Sequence, residues 1–183
     1  MFKIDIHTHI LPENLNEVTD TFTDPRFLRM DPIDDKTAML RKDEKAFRKV
    51  NCNCWNQHAR VQDCKNTFVD MQVLSTIPVL FSYWAKADEC LTLSQFLNYH
   101  IADICRKNPK QFLGLGTIPM QDSDKAITEM DRCVNELNLP GIEIGSNING
   151  LNLSEPQFNP IFEHAEKISI NIAMAISFSK IES

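Results

Sequence analysis

The sequence predicts an α/β chain folded as part of a (β/α)8 TIM barrel: about five βα units, with a small insertion after the first strand. Three observations carry that expectation. Strand-like runs recur at 2–10, 69–75, 112–117, 142–145 and 170–176. Stripes of helical period lie between them, the alternation that builds a parallel sheet from βαβ units. With 183 residues the chain is shorter than the ~250 of a typical closed barrel, so it reads as a barrel's amino-terminal part.

Composition bounds the rest. At 43% hydrophobic and 24% charged, the chain suits one soluble globular domain, 1–183, with a real core. Net charge is −6 and the basic residues are scattered, which excludes an electrostatic footprint for nucleic acid or an anionic membrane. Small molecules are the expected partners. The first residues run straight into a strand without a signal-peptide pattern, and no stretch reaches membrane-spanning length, so the expected location is the cytoplasm. Six scattered cysteines show no paired C-x-x-C spacing and are expected as free thiols, with Cys52-Asn53-Cys54 as loop packing.

In the first strand Phe2, Ile4 and Ile6 alternate with Lys3, Asp5 and His7, so Asp5, His7 and His9 are expected on one face. Residues two apart on a strand face lie about 6.5–7 Å apart along it, within reach of one ion bound at roughly 2.0–2.1 Å. His7 and His9 therefore form a candidate half-site for a divalent metal, with a hydrogen-bonded structural pair as the bland alternative. Asp5 either orients a histidine, satisfies backbone or ligates. A catalytic zinc needs about three protein ligands and an open position, so the other ligands must come from elsewhere.

From residue 13 to 55 clean periodicity is lost and Asp24-Pro25, Asp31-Pro32 and a mixed charge run appear. A connection this long is expected to carry its own small structure and to cover the mouth of the site. Arg48 lies within it, and alone would be read as a solvated charge. Val61, Cys64 and Phe68 then mark a helix before the second strand. Leu93, Phe96, Leu97, His100, Ile101 and Ile104 form a second helical stripe, ended by Asn108-Pro109. His100 is expected as a hydrogen-bonded core residue. Ala126, Ile127, Met130, Val134 and Leu137 give the next helix; Phe158, Ile161, Phe162, Ala165 and Ile168 give the last, with His164 solvated at its edge. No histidine follows His164, and no acidic strand end is expected to complete the metal site.

These residues also carry a resemblance. The run Ile4-Asp5-Ile6-His7-Thr8-His9-Ile10-Leu11-Pro12, Phe47-Arg48, Cys54-Trp55, residues 74–86 around Tyr83-Trp84, residues 114–121 and Pro140-Gly141-Ile142-Glu143-Ile144-Gly145 together resemble the aminocarboxymuconate-semialdehyde decarboxylase family, of the metal-dependent amidohydrolase superfamily. The likeness covers residues 1 to about 168, the family's amino-terminal half only. It implies a zinc-dependent, oxygen-independent removal of CO2 from 2-amino-3-carboxymuconate 6-semialdehyde in tryptophan breakdown through the kynurenine pathway. His7 and His9 would be the first two metal ligands, and Arg48 would grip the substrate carboxylate with its fork of N–H donors. A metal-bound water would act on the unsaturated chain while a histidine assists proton transfer. The sequence departs from the family where a third metal histidine is expected near residues 172–178, and a second basic residue is replaced near Asn51. No catalytic histidine is identified in the chain. The tail from about 171 is read as an alternative ending. A catalytically inactive binding or regulatory form is the competing expectation, a hydrolase of the same superfamily another, and a homodimer the possible assembly.

Overall fold

The computed structural model describes residues 1–175. β1 (Ile4–Ile10) is followed by the short α1 (Asn16–Thr19) and by β2 (Arg29–Asp34), β3 (Thr37–Lys42) and β4 (Lys45–Asn51). Then come α2 (Gln57–Thr67), β5 (Met71–Thr76), α3 (Ala87–Lys107), β6 (Phe112–Gly116), α4 (Ser123–Asn135) and β7 (Gly141–Gly145). A two-stranded ribbon, β8 (Asn147–Ile148) and β9 (Leu151–Asn152), precedes α5 (Asn159–Lys167) and β10 (Asn171–Ala175). The main sheet has the order β1-β5-β6-β7-β10, and every neighbouring pair in it is parallel. This is the expected partial barrel. The reading of the fifth strand at residue 176 and the departure at 176–178 lie outside the described residues.

Local chemistry sets the helix ends. The Asn56 side chain accepts from the His58 and Ala59 amides to open α2, and Phe68 closes it in the left-handed region at φ 57°. Asp122 accepts from the Lys125 amide at the start of α4. Acidic Asp88 and Glu89 begin α3 and basic Arg106 and Lys107 end it, each matching the helix dipole.

The helices pack one face of the sheet. Ile10, Leu74, Phe112 and Leu139 meet Ile101 and Ile104 of α3, while Ile142 and Ile144 meet Ile118, Met130 of α4 and Ile161 of α5. Packing over β6 is close: a Cβ at Gly114 would fall 2.5 Å from Ile101 Cγ2. The buried Asn98 side chain donates to the Thr117 carbonyl and to Glu129, tying α3 to α4 beneath that layer. His164 is not a solvated edge residue as expected. Its Nε2 lies 2.7 Å from Asp131 Oδ1, a link between α5 and α4.

The 13–55 stretch contains α1 and an antiparallel sheet in the order β2-β3-β4. Its Leu15, Phe27, Leu28, Met30 and Leu40 belong to one apolar cluster with Trp55, Leu80, Leu93 and Leu97. The insertion and the barrel strands' helices therefore share a core.

The other face of the main sheet is open. Phe2 and Ile6 are 63% and 75% exposed, contrary to the half-buried face expected for them. Among the described residues, β1 and β10 each pair on one side only. Unpaired parallel edges flanked by apolar side chains template association. Residues 1–183 expressed alone are expected to elute above monomer mass by size exclusion with light scattering, and Ile4→Lys with Ile6→Lys to shift the mass towards monomer. A monodisperse monomer would contradict this reading of the edges.

Candidate metal centre

The two histidines reach one face by a route that simple alternation does not give. In the ladder Asp5 pairs with Gln72 and Thr8 with Leu74, so Ile6 and His7 together stand opposite the single residue Val73. That is a β-bulge. Leu74 points to the helices and Ser75 to the opposite, open face, and ladder partners share a face. Asp5 therefore lies on the helix side with Gln72, whereas His9, paired with Ser75, lies on the open side. The expected shared face for Asp5, His7 and His9 is corrected. The extra residue turns His7 and His9 over together and leaves Asp5 behind, where its carboxylate accepts from the His7 amide at 3.3 Å and from Gln72 Nε2 at 3.4 Å.

The imidazoles converge as a half-site requires, with ring centroids 5.0 Å apart in an edge-to-face arrangement. His7 is exposed and His9 is half-buried. The Ser75 hydroxyl lies 3.1 Å from the Thr8 carbonyl, to which it can donate, and 3.0 Å from His9 Nδ1. With the serine proton directed away from the ring, His9 carries its own proton on Nδ1 and leaves Nε2 with a free lone pair, the form a metal ligand needs. Burial first, and the neighbouring His7 second, hold His9 below the usual imidazole pKa, which keeps it neutral near pH 7.

Glu143 of β7 is the acid that strand reading missed. It is 4% exposed, its Oε2 lacks any hydrogen-bond partner among the described residues, and that oxygen lies 4.0 Å from His9 Nδ1. Burial pushes its carboxyl up to about 7. A carboxylate between Ile142 and Ile144, whose side chains face the helices, has to point to the inner face; that alternation was the available signal. Ser75 gave no comparable signal, because its role depends on the register of β5 against β1.

The other candidates stand apart. Arg48 is exposed on β4 and makes no side-chain hydrogen bond or ion pair among the described residues, so nothing in those contacts joins it to His7 and His9. Trp84 lies against the insertion, 4.8 Å from the Phe27 ring with Arg26 stacked 4.1 Å above it. His100 is half-buried and hydrogen-bonded to the Leu11 backbone, in keeping with the bonded residue expected, although its Nε2 has no partner among the described residues; burial lowers its pKa to about 4. The six cysteines are free thiols, as expected.

Two converging imidazoles fit half of a zinc or similar divalent site. Among the described residues no group of three or more His, Cys, Asp or Glu side chains is arranged to hold an ion.

Residues 4–180 match the amidohydrolase family. The chain is similar to 2-amino-3-carboxymuconate-6-semialdehyde decarboxylase of Dictyostelium discoideum, 47% identical over 91% of this chain and 46% of that protein. It is also similar to the decarboxylase of that name in Caenorhabditis elegans, at 33% identity over 94% of this chain and 48% of the other. The chain thus spans about half the length of these curated relatives. Among solved structures, 5-carboxyvanillate decarboxylase from Novosphingobium aromaticivorans, complexed with manganese and a nitrobenzoic acid, superposes with TM-score 0.72. That pair is 21% identical and covers 93% of this chain and 49% of the other, a likeness of fold.

Glu143 yields a pH-dependent expectation for the metal-free chain. Its folded pKa is raised, so its contribution to stability is present below the unfolded value of 4.5 and is lost as pH rises through about 7. Glu143→Gln removes the buried charge and is expected to stabilise by about 1–3 kcal/mol at pH 8, with a smaller effect at pH 5. Equal melting-temperature changes at the two pH values would contradict the assignment.

Proposed function

This chain belongs to the amidohydrolase family, and from that premise we propose that it supplies the first metal-ligand strand and the substrate arginine of a zinc-dependent, non-oxidative decarboxylase. The proposed substrate is 2-amino-3-carboxymuconate 6-semialdehyde, in tryptophan breakdown through kynurenine, in the cytosol. The observation that carries the reading is the convergence of His7 and His9 at 5.0 Å on the open face of β1, at the carboxyl end where barrel sites are built. The 47% identity to a decarboxylase of that name supports the substrate class.

In this reading His7 and His9 hold the ion, His9 through Nε2 because Ser75 occupies Nδ1. The ion would supply Lewis acidity and an acidified water. The insertion 13–55 covers the mouth, and its Arg48 presents paired N–H donors to a substrate carboxylate. Exposure suits that task, since Arg48 has no protein partner among the described residues to give up on binding. Glu143 stands behind His9, its Oε2 4.0 Å from Nδ1.

Among the described residues two ligands converge, and two imidazoles leave a coordination shell unfinished. That observation favours a second reading for residues 1–183 taken alone, a weakly zinc-binding and catalytically silent form. Dialysis against zinc followed by metal analysis separates the two: stoichiometric zinc with substrate loss supports the enzyme, and substoichiometric zinc without turnover supports the silent form.

Where a preparation turns the substrate over, Arg48→Ala is expected to keep its zinc and lose about 1.5–3 kcal/mol of charge-assisted bonding, roughly ten- to 150-fold in kcat/KM. Wild-type kinetics in that variant would return Arg48 to an ordinary surface charge.

A further inference from the structure

One buried charge on the helix side of β1 has no part in binding or chemistry so far. Arg60 of α2 is 8% exposed and forms no ion pair among the described residues. Its Nη2 donates to the His9 carbonyl at 2.6 Å, its Nε to the Asn53 carbonyl at 3.1 Å, and its Nη1 to Gln72 Oε1 at 3.3 Å. Gln72 Nε2 in turn donates to Asp5, whose carboxylate accepts from the His7 amide. One guanidinium thus grips the strand at His9 and, through Gln72, at Asp5.

Those two points bracket the bulge. Asp5 is in register with Gln72, Thr8 and His9 are in register with Leu74 and Ser75, and the extra residue lies between them. Without that residue the alternation from Asp5 would carry His7 and His9 to the helix side. The Asn53 contact, with the Leu11 amide donating to the Cys54 carbonyl at 2.8 Å, fixes the end of the insertion to the same place.

We propose that Arg60 is a positioning residue for the metal half-site: by clamping the His9 carbonyl and, through Gln72, Asp5, it fixes the bulge that turns both imidazoles to the open face. A buried guanidinium suits this role, because its fork of donors reaches three acceptors at fixed angles, which an ammonium cannot do. The inference rests on the reading of His7 and His9 as ligands. It differs from that reading in placing the control on the opposite side of the strand.

The test uses the chain as it exists, with zinc as probe. Zinc affinity is read by competition with a chromophoric chelator, and the histidine tautomers of the metal-free protein by nitrogen-15 NMR. Arg60→Gln is expected to weaken zinc about ten- to 100-fold and to replace the single Nδ1–H form of His9 with a mixture. Arg60→Lys, which keeps one bond to the His9 carbonyl, is expected to fall between Gln and wild type. Wild-type affinity together with an unchanged His9 tautomer in Arg60→Gln overturns the proposal. His9→Gln is the separate control. If it binds zinc as wild type does, the ligand reading fails, while the tautomer measurement still decides whether Arg60 sets the imidazole. Should the Arg60 variants fail to fold, Gln72→Met cuts the link to Asp5 without removing a charge and carries the same expectations. Wild-type affinity and tautomer in Gln72→Met then overturn the proposal.

Discussion

A single extra residue in the first strand is the constraint on which the candidate site depends. Strand side chains alternate with a period of two, so a shift of one residue exchanges the faces of everything beyond it. The bulge opposite Val73 makes that exchange between Asp5 and Thr8. Asp5 stays among polar partners on the helix side, and His7 and His9 emerge together on the open side. Bulges are rare in parallel pairs, and this one is held on the helix side by several hydrogen bonds of a buried arginine. Ring geometry, the His9 tautomer and the proximity of Glu143 all follow from the register it sets.

The same region joins the insertion to the barrel. Leu15, Phe27, Met30 and Leu40 share an apolar cluster with Leu80, Leu93 and Leu97, so β2, β3 and β4 are seated on α3 and on the segment after β5. Apolar burial contributes roughly 25 cal/mol per Å², and a small antiparallel sheet has too little of it to stand alone. Packing on α3 supplies what the three strands lack. Arg48 therefore projects from a seated sheet, and its distance from the histidines is governed by the seat.

Much of the architecture was legible because periodicity reports burial. The helical stripe through Leu93, Leu97, Ile101 and Ile104 points at the sheet as its spacing requires, and the five parallel strands fall where the apolar runs lie. The histidine pair was legible as a pair, since two imidazoles two residues apart seldom need more than an extended backbone to meet. What failed was what depends on partners distant in sequence. The bulge is invisible to alternation because it arises between β1 and β5. Arg60 reads as one polar residue among several on α2, and its burial becomes evident only once three acceptors from three elements surround it. Phe2 and Ile6 look like core residues in sequence and are exposed because nothing among the described residues covers that side of β1.

The two faces of β1 carry opposite electrostatics, and this bears on how a carboxylate substrate would be bound. A buried cation, Arg60, lies behind the strand with Asp63 and Asp5 as nearby anions. In front, Glu143 presents an unpartnered oxygen beside His9. Held near 7, that carboxyl is partly ionised at neutral pH. A substrate carboxylate brought directly against it would meet a like charge in a poorly hydrated place, where repulsion is strong. In the proposed reading an ion on the imidazoles would supply positive charge on one side, and the Arg48 guanidinium of the insertion on the other. Under that reading the ion would bind before the carboxylate, because the carboxylate would meet Glu143 only across the ion.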